Sequence, residues 1–223
     1  MLFDLDGTLH DRAETVRRYL SGHVRRFPVP EGYAERFILL DDFGYVSKRR
    51  VFEQLVQDFR LDHGVEALLQ DYDDHAWNDL GRMPHTQQVL AALRARGLRL
   101  GVVTNGWTVK QRECLTGLAL TEAFDVVVIS EEAGCRKPDP PIYRRALEGL
   151  GLSAAEVLFV GDSPLNDVQG PQQAGMRAAW LPTSHPLPEG VTPEFVLADL
   201  RDVVAVVEGR FTGTAPPDRP HLL

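Results

Sequence analysis

The chain has 223 residues, 43% of them hydrophobic, and a formal net charge of −8. That is enough for a sizeable core in one domain with a large insertion or in two small domains, and the acidic balance speaks against a nucleic-acid polymer as partner. No apolar run reaches membrane-span length, no basic-then-apolar leader follows Met1, and Cys114 and Cys135 form no metal-spaced set, so a cytoplasmic, reduced protein with no membrane partner is expected.

In chain order, Met1 to Leu5 is predicted as a buried strand with only three apolar residues before Asp4. Either that strand is brief or the true start lies upstream. From Arg12 to about Arg82 the pattern is helical. Val16, Tyr19, Leu20 and Val24 recur at three- and four-residue steps, as do Val51, Phe52, Leu55, Val56 and Phe59. Pro28, Pro30 and Gly32 break one helix. Asp41-Asp42-Phe43-Gly44 reads as a turn, with Ser47 placed to cap the helix through Phe59. Residues 12–82 are therefore expected to form a helical insertion.

Alternation of helix and strand follows. Helices are predicted over 87–96, stopped by Gly97, and over 109–118, 141–150 and 202–208, with a further helix reaching about Ala174. Strands are predicted over 98–104, 124–130, 157–161, 177–181 and 195–197. Apolar strands separated by helices predict an α/β fold, a parallel sheet with helices on both faces, assembled from residues 1–11 and 83–210. Residues 211–223 carry several prolines and are expected to form a mobile tail.

The chemistry falls where strands end. Phe3-Asp4-Leu5-Asp6-Gly7-Thr8-Leu9 puts two carboxylates at a strand's carboxyl end, where open α/β sheets bind ligands. One acid could serve as nucleophile and the other as general acid and base, although a lone Asp-x-Asp also fits a solvated turn. Thr104-Asn105-Gly106 closes another strand with a hydroxyl, an amide and a glycine, and reads equally as a simple strand-to-helix turn. Lys137, held extended by Pro138, is either a cation reaching the same cleft or a solvated lysine. Gly161-Asp162-Ser163-Pro164-Leu165-Asn166-Asp167 ends a buried strand in a carboxylate. Asp162 suits Mg²⁺, a hard cation that takes one or two carboxylates, or else Asp162 or Ser163 is only a helix cap. Cys135 lies beside Arg136 and Lys137 and reads as an incidental thiol.

Taken in order, these four stretches resemble the motif set of the haloacid dehalogenase (HAD) superfamily, across about 1–10 and 83–181. The resemblance implies a Rossmann-like core and a helical cap inserted after the first motif. It implies Asp4 as the nucleophile that forms an aspartyl-phosphate and Asp6 as general acid and base. Thr104 and Asn105 would hold phosphoryl oxygens, and Lys137 would neutralise the phosphate and Asp4. Asp162 would ligate Mg²⁺ with the Asp4 carboxylate and the Asp6 backbone carbonyl, and Asp167 would support the metal or Lys137. An acid at position 6 fits an alkoxide leaving group, hence a phosphate ester rather than a halide.

The implied activity is Mg²⁺-dependent hydrolysis of a small phosphate monoester. The motifs look most like the nucleotidase-like branch, which points to a nucleoside monophosphate. A sugar phosphomutase or a non-catalytic phosphate-binding regulator would use the same motifs. In the insertion, Asp42, Tyr45 and Lys48 are the candidates for reading the substrate. Phe43 and Tyr45 are as readily assigned to the insertion's own core, and the basic residues to solvent.

Overall fold

The computed structural model describes residues 1–211, so the tail expected over 211–223 lies, apart from Phe211, outside the described residues. The described chain divides into two compact units, residues 1–10 with 82–211, and Asp11–Gly81.

The first unit is built on a sheet of six parallel strands: β1 (Leu2–Phe3), β2 (Gly101–Thr104), β3 (Val126–Ile129), β4 (Leu158–Gly161), β5 (Arg177–Trp180) and β6 (Phe195–Val196). Their order is β3-β2-β1-β4-β5-β6, the doubly wound arrangement in which ligands bind beyond the carboxyl ends near the central strand. Leu2 sits between Gly101 of β2 and Phe159 of β4. Every residue of β2 and β4 is buried, as near-continuous apolar strands covered on both faces require. β2, β3 and β4 begin later than the apolar runs that announce them. Residues 98–100 are not strand, because the run first closes the turn after the preceding helix, where Leu98 N donates to Leu93 O (3.3 Å).

The second unit holds four helices, α1 (Arg12–Arg26), α2 (Tyr33–Asp41), α3 (Lys48–Phe59) and α4 (Val65–His75). Their apolar faces meet in one core that includes Val16, Tyr19, Leu20, Phe37, Phe52, Leu55 and Tyr72. Asp11 belongs to this unit and caps α1, accepting from Glu14 N at 2.9 Å. Ser47 occupies the cap position of α3 but makes no side-chain capping bond. The turn Asp42–Gly44 is a short 3₁₀ segment with Asp42 and Phe43 both at positive φ (44° and 52°). It leaves Phe43 and Tyr45 46% and 54% exposed, outside the core.

In the first unit the helices are α5 (Thr86–Arg94), α6 (Thr108–Gly117), α7 (Ser130–Ala133), α8 (Pro140–Leu150), α9 (Gly170–Gln173) and α10 (Asp202–Val207). Ile142, Tyr143, Ala146 and Leu150 of α8 share a core cluster with Val103, Val128 and Phe159 of the sheet. The helix expected to reach about Ala174 is instead a π-helical turn, Pro164–Gln169, followed by α9. The wider turn brings Asp167 back against β4, and Gly161 allows it: a Cβ there would meet Asp167 Cβ at 2.4 Å. Such turns recur at functional sites. Arg82 belongs with this unit, donating to Leu118 O at 2.5 Å.

Candidate active site

Two strand ends, the π turn and the segment between α7 and α8 bring the acids and their cation together at the carboxyl ends of the central strands. Asp4 follows β1 and is tied to the neighbouring strand by Asp4 N donating to Val160 O (2.9 Å). Asp162 follows β4, and Asp167 comes from the π turn. One carboxylate oxygen from each of Asp4, Asp162 and Asp167 lies within 4.8 Å of the other two, and all three residues are buried. Lys137 Nζ is 2.7 Å from both Asp4 Oδ1 and Asp167 Oδ1, and 5.4 Å from the centroid of the Phe159 ring. Asp167 uses its other oxygen to accept from Ser163 N (2.9 Å). It therefore clamps Lys137 to the β4 turn, while Ser163, not Asp162, caps the π turn by accepting from Asn166 N (3.3 Å).

The electrostatics follow from three buried carboxylates sharing one ammonium. Burial works against the charge of Lys137, but Asp167 and Asp4 more than offset it and hold the ammonium protonated. Burial raises the Asp4 carboxyl; Lys137 opposes this, and the facing charges of Asp167 and Asp162 add to it. Asp162 is pushed up to about 7 by burial and by Asp167. A cluster of hard oxygen donors short of positive charge is what a divalent cation completes. The backbone makes room for this: Gly7, at φ +85°, sits where a Cβ would meet Asp162 Oδ2 at 2.4 Å. The donor set and the cradle fit Mg²⁺.

Asp6 stands beside this cluster, its side chain 25% exposed. His10 Nδ1 lies 2.6 Å from its Oδ1, and Gln111 Nε2 donates to its Oδ2 at 2.8 Å. Gln111 also donates to Thr104 Oγ1 (2.7 Å) and Asn105 O (3.1 Å). Sequence reasoning passed over both residues. The signals were a histidine four positions after Asp6 and an amide in the first turn of the helix that follows Thr-Asn-Gly. Asn105 is engaged differently from what the motif suggests. Its amide, expected to face a phosphoryl oxygen, donates to Lys137 O (3.0 Å), while its Oδ1 accepts from Lys137 N (2.8 Å). Next to this pairing an open cavity of about 540 Å³ is lined by Gly106, Trp107, Ser130, Glu131 and Arg136. Trp107 is 71% exposed.

Asp4, Asp6, Thr104, Asn105, Lys137, Asp162 and Asp167 thus all belong to the sheet unit. Asp42, Tyr45 and Lys48 belong to the helical unit. There Lys48 pairs with the buried Asp41, which also accepts from Arg12 (2.5 Å). Lys48 is anchored within its own unit rather than solvated.

A family model described as haloacid dehalogenase-like hydrolase matches residues 1–181. The chain belongs to that family. It is 32% identical over 191 residues to the glyceraldehyde 3-phosphate phosphatase of Pyrococcus abyssi, covering 81% of this chain and 80% of that protein. It is 41% identical over 121 residues to the phosphoserine phosphatase of Thermus thermophilus, covering 54% of this chain and 49% of that protein. Among solved structures, the HAD-hydrolase YfnB of Bacillus subtilis bound to magnesium superposes with a TM-score of 0.80 at 22% identity, over 92% of this chain and 96% of that one. The chain is a hydrolase of the phosphatase type, on a Rossmann-like α/β fold.

Proposed function

We propose that the protein is a Mg²⁺-dependent phosphomonoesterase that works through an aspartyl-phosphate on Asp4. The observation that carries this reading is Lys137, buried and bonded at 2.7 Å to both Asp4 and Asp167. An anionic nucleophile approaching an anionic phosphate must be neutralised, and this ammonium stands beside the attacking oxygen. Asp4, Asp162 and the Asp6 backbone carbonyl would hold the cation, which supplies further positive charge against the phosphoryl group when bound.

Asp4 Oδ attacks phosphorus, and the bond from phosphorus to the ester oxygen breaks. The leaving alkoxide takes the proton of Asp6. Asp6, now a base, takes a proton from water as that water attacks phosphorus. The Asp4–phosphorus bond then breaks, releasing inorganic phosphate and regenerating the Asp4 carboxylate and the protonated Asp6. Thr104 donates to a phosphoryl oxygen, and Asn105 holds the Lys137 backbone in place. The cavity beside Trp107 and Arg136 is open enough to take a small organic group next to the phosphate. Relatives named for glyceraldehyde 3-phosphate and phosphoserine support a small, polar phosphate monoester as substrate.

The test is phosphate release from a panel of three-carbon phosphates, sugar phosphates, FMN and nucleoside monophosphates. It is run with Mg²⁺ and with EDTA, with Asp4→Asn as control. Metal-dependent release absent from the control supports the reading and ranks the substrates. Isomerised sugar phosphate without free phosphate would replace it with a mutase, and phosphate binding without turnover of any ester would replace it with a regulator.

A further inference from the structure

We infer that His10 and Gln111 are positioning residues for Asp6, each fixing one oxygen of its carboxylate, and that Gln111 also sets the proton of Thr104. This rests on reading Asp6 as the general acid and base. Asp6 needs such help because its side chain is a quarter exposed, and an unrestrained carboxylate there would sample several rotamers. Its two holders do not. His10 is fully buried and Gln111 is 3% exposed. His10 Nδ1 takes Oδ1 at 2.6 Å and Gln111 Nε2 takes Oδ2 at 2.8 Å, so both the swing and the twist of the carboxylate are fixed.

The orientation of the Gln111 amide follows from its partners. Asn105 O is a backbone carbonyl and can only accept, so the nitrogen must face it. Two amide protons then serve three oxygens, at 2.8, 3.1 and 2.7 Å. Thr104 Oγ1 is the third, and it spends a lone pair on Gln111. Among the described residues the hydroxyl proton of Thr104 has only a long contact with Asn105 O, at 3.5 Å, so it is available to a phosphoryl oxygen. One side chain on α6 therefore ties the proton donor of the β1 turn to the phosphoryl donor at the end of β2.

The test is the dependence of kcat/KM on leaving-group basicity. Mg²⁺-loaded enzyme is assayed with phosphate monoesters running from alkyl to nitrophenyl. kcat/KM covers steps up to departure of the leaving group, where Asp6 acts as acid; a nitrophenolate needs no proton, whereas an alkoxide does. His10→Phe should lose roughly 10²-fold on alkyl esters and less than about threefold on nitrophenyl phosphate. His10→Asn, whose amide nitrogen can stand near the place of Nδ1, should recover most of that loss. Gln111→Met should steepen the dependence in the same way and add a uniform loss through Thr104.

An equal loss on every ester in folded His10→Phe would overturn the inference. If His10→Phe does not fold, an unchanged slope in Gln111→Met would do the same. Asp6→Asn separates the two readings. Full activity of Asp6→Asn on alkyl esters would sink the role of Asp6 itself. An inactive Asp6→Asn beside an unsteepened His10→Phe would sink only the positioning.

Discussion

Asn105 and Lys137 hold each other through a reciprocal pair of hydrogen bonds, Lys137 N to Asn105 Oδ1 at 2.8 Å and Asn105 Nδ2 to Lys137 O at 3.0 Å. The side chain at the end of β2 thereby acts as a strand partner for the segment that carries the buried ammonium. Asn105→Ala removes both bonds and leaves a backbone N–H and carbonyl without their partner. A loss of about 2 kcal/mol in unfolding free energy is expected, readable by urea denaturation. Phosphate release should fall more steeply than stability accounts for, because Lys137 is displaced. A variant that loses stability but keeps its rate would show that Lys137 is held by its carboxylates alone.

Gly7→Ala tests the cradle. Its φ of +85° disfavours any side chain, and a Cβ would press on Asp162 Oδ2 at 2.4 Å. The expected result is a rise of at least about tenfold in the Mg²⁺ concentration for half-maximal activity, together with a stability cost near 1 kcal/mol. A metal titration of phosphate release would reveal it. An unaltered titration would mean that Asp162 moves freely and is not a placed ligand.

In EDTA, the buried acids should make the protein less stable as pH rises. Asp162 is held up to about 7 in the folded protein, by burial and Asp167, from an ordinary 3.8. A raised acid favours folding fully below its unfolded value, and the benefit drains away as pH climbs through its folded value. The metal-free protein should therefore lose thermal stability between about pH 4 and 7, and Asp162→Asn should flatten that fall. Saturating Mg²⁺ should reverse it in the parent, adding about 2.7 kcal/mol at a hundred times Kd, and should do little for Asp162→Asn. Differential scanning fluorimetry across pH would decide the matter.

The helical unit should show the opposite pH sign. Burial raises Asp71, but hydrogen bonds from Arg26, His23 and Tyr19 outweigh this and bring it to about 2. Its contacts are short, with His23 Nδ1 at 2.6 Å and Tyr19 Oη at 3.0 Å. A depressed acid stabilises above its unfolded value and loses that contribution as pH falls through the folded one. Asp71→Asn should cost about 3 kcal/mol at neutral pH, and the gap to the parent should close between about pH 4 and 2. A gap that stays constant over that range would mean the carboxylate's charge is not what Arg26 and His23 require.

Motif order and strand ends carried much of the fold and of the acid cluster. Asp4, Thr104 and Asp162 could be read because each ends a run of buried apolar residues, and in a parallel sheet those ends converge. His10 and Gln111 could not, because a lone histidine after a turn and a glutamine on a helix acquire meaning only when β1, β2 and α6 are packed together. The engagement of Asn105 was hidden for the same reason, since its partner lies far along the chain. Local preference also misled in places. Ser47 has the right identity for a cap but makes no capping bond, and of the two readings open for Phe43 and Tyr45, burial in the insertion's own core is the one the structure does not show.

His10 pairs with Arg82 in an antiparallel bridge, and Met83 N donates to Leu9 O at 3.0 Å. The chain of Asp11–Gly81 therefore leaves and rejoins the sheet unit across this rung, as a closed loop. Entropically, closing such a loop depends only weakly on its length, so the rung works like a socket. A short glycine-rich bridge, or a module of another size, could be seated there without altering the register of β1 between β2 and β4. The helical unit could then be exchanged through this socket while Asp4, Lys137 and Asp167 stay where they are.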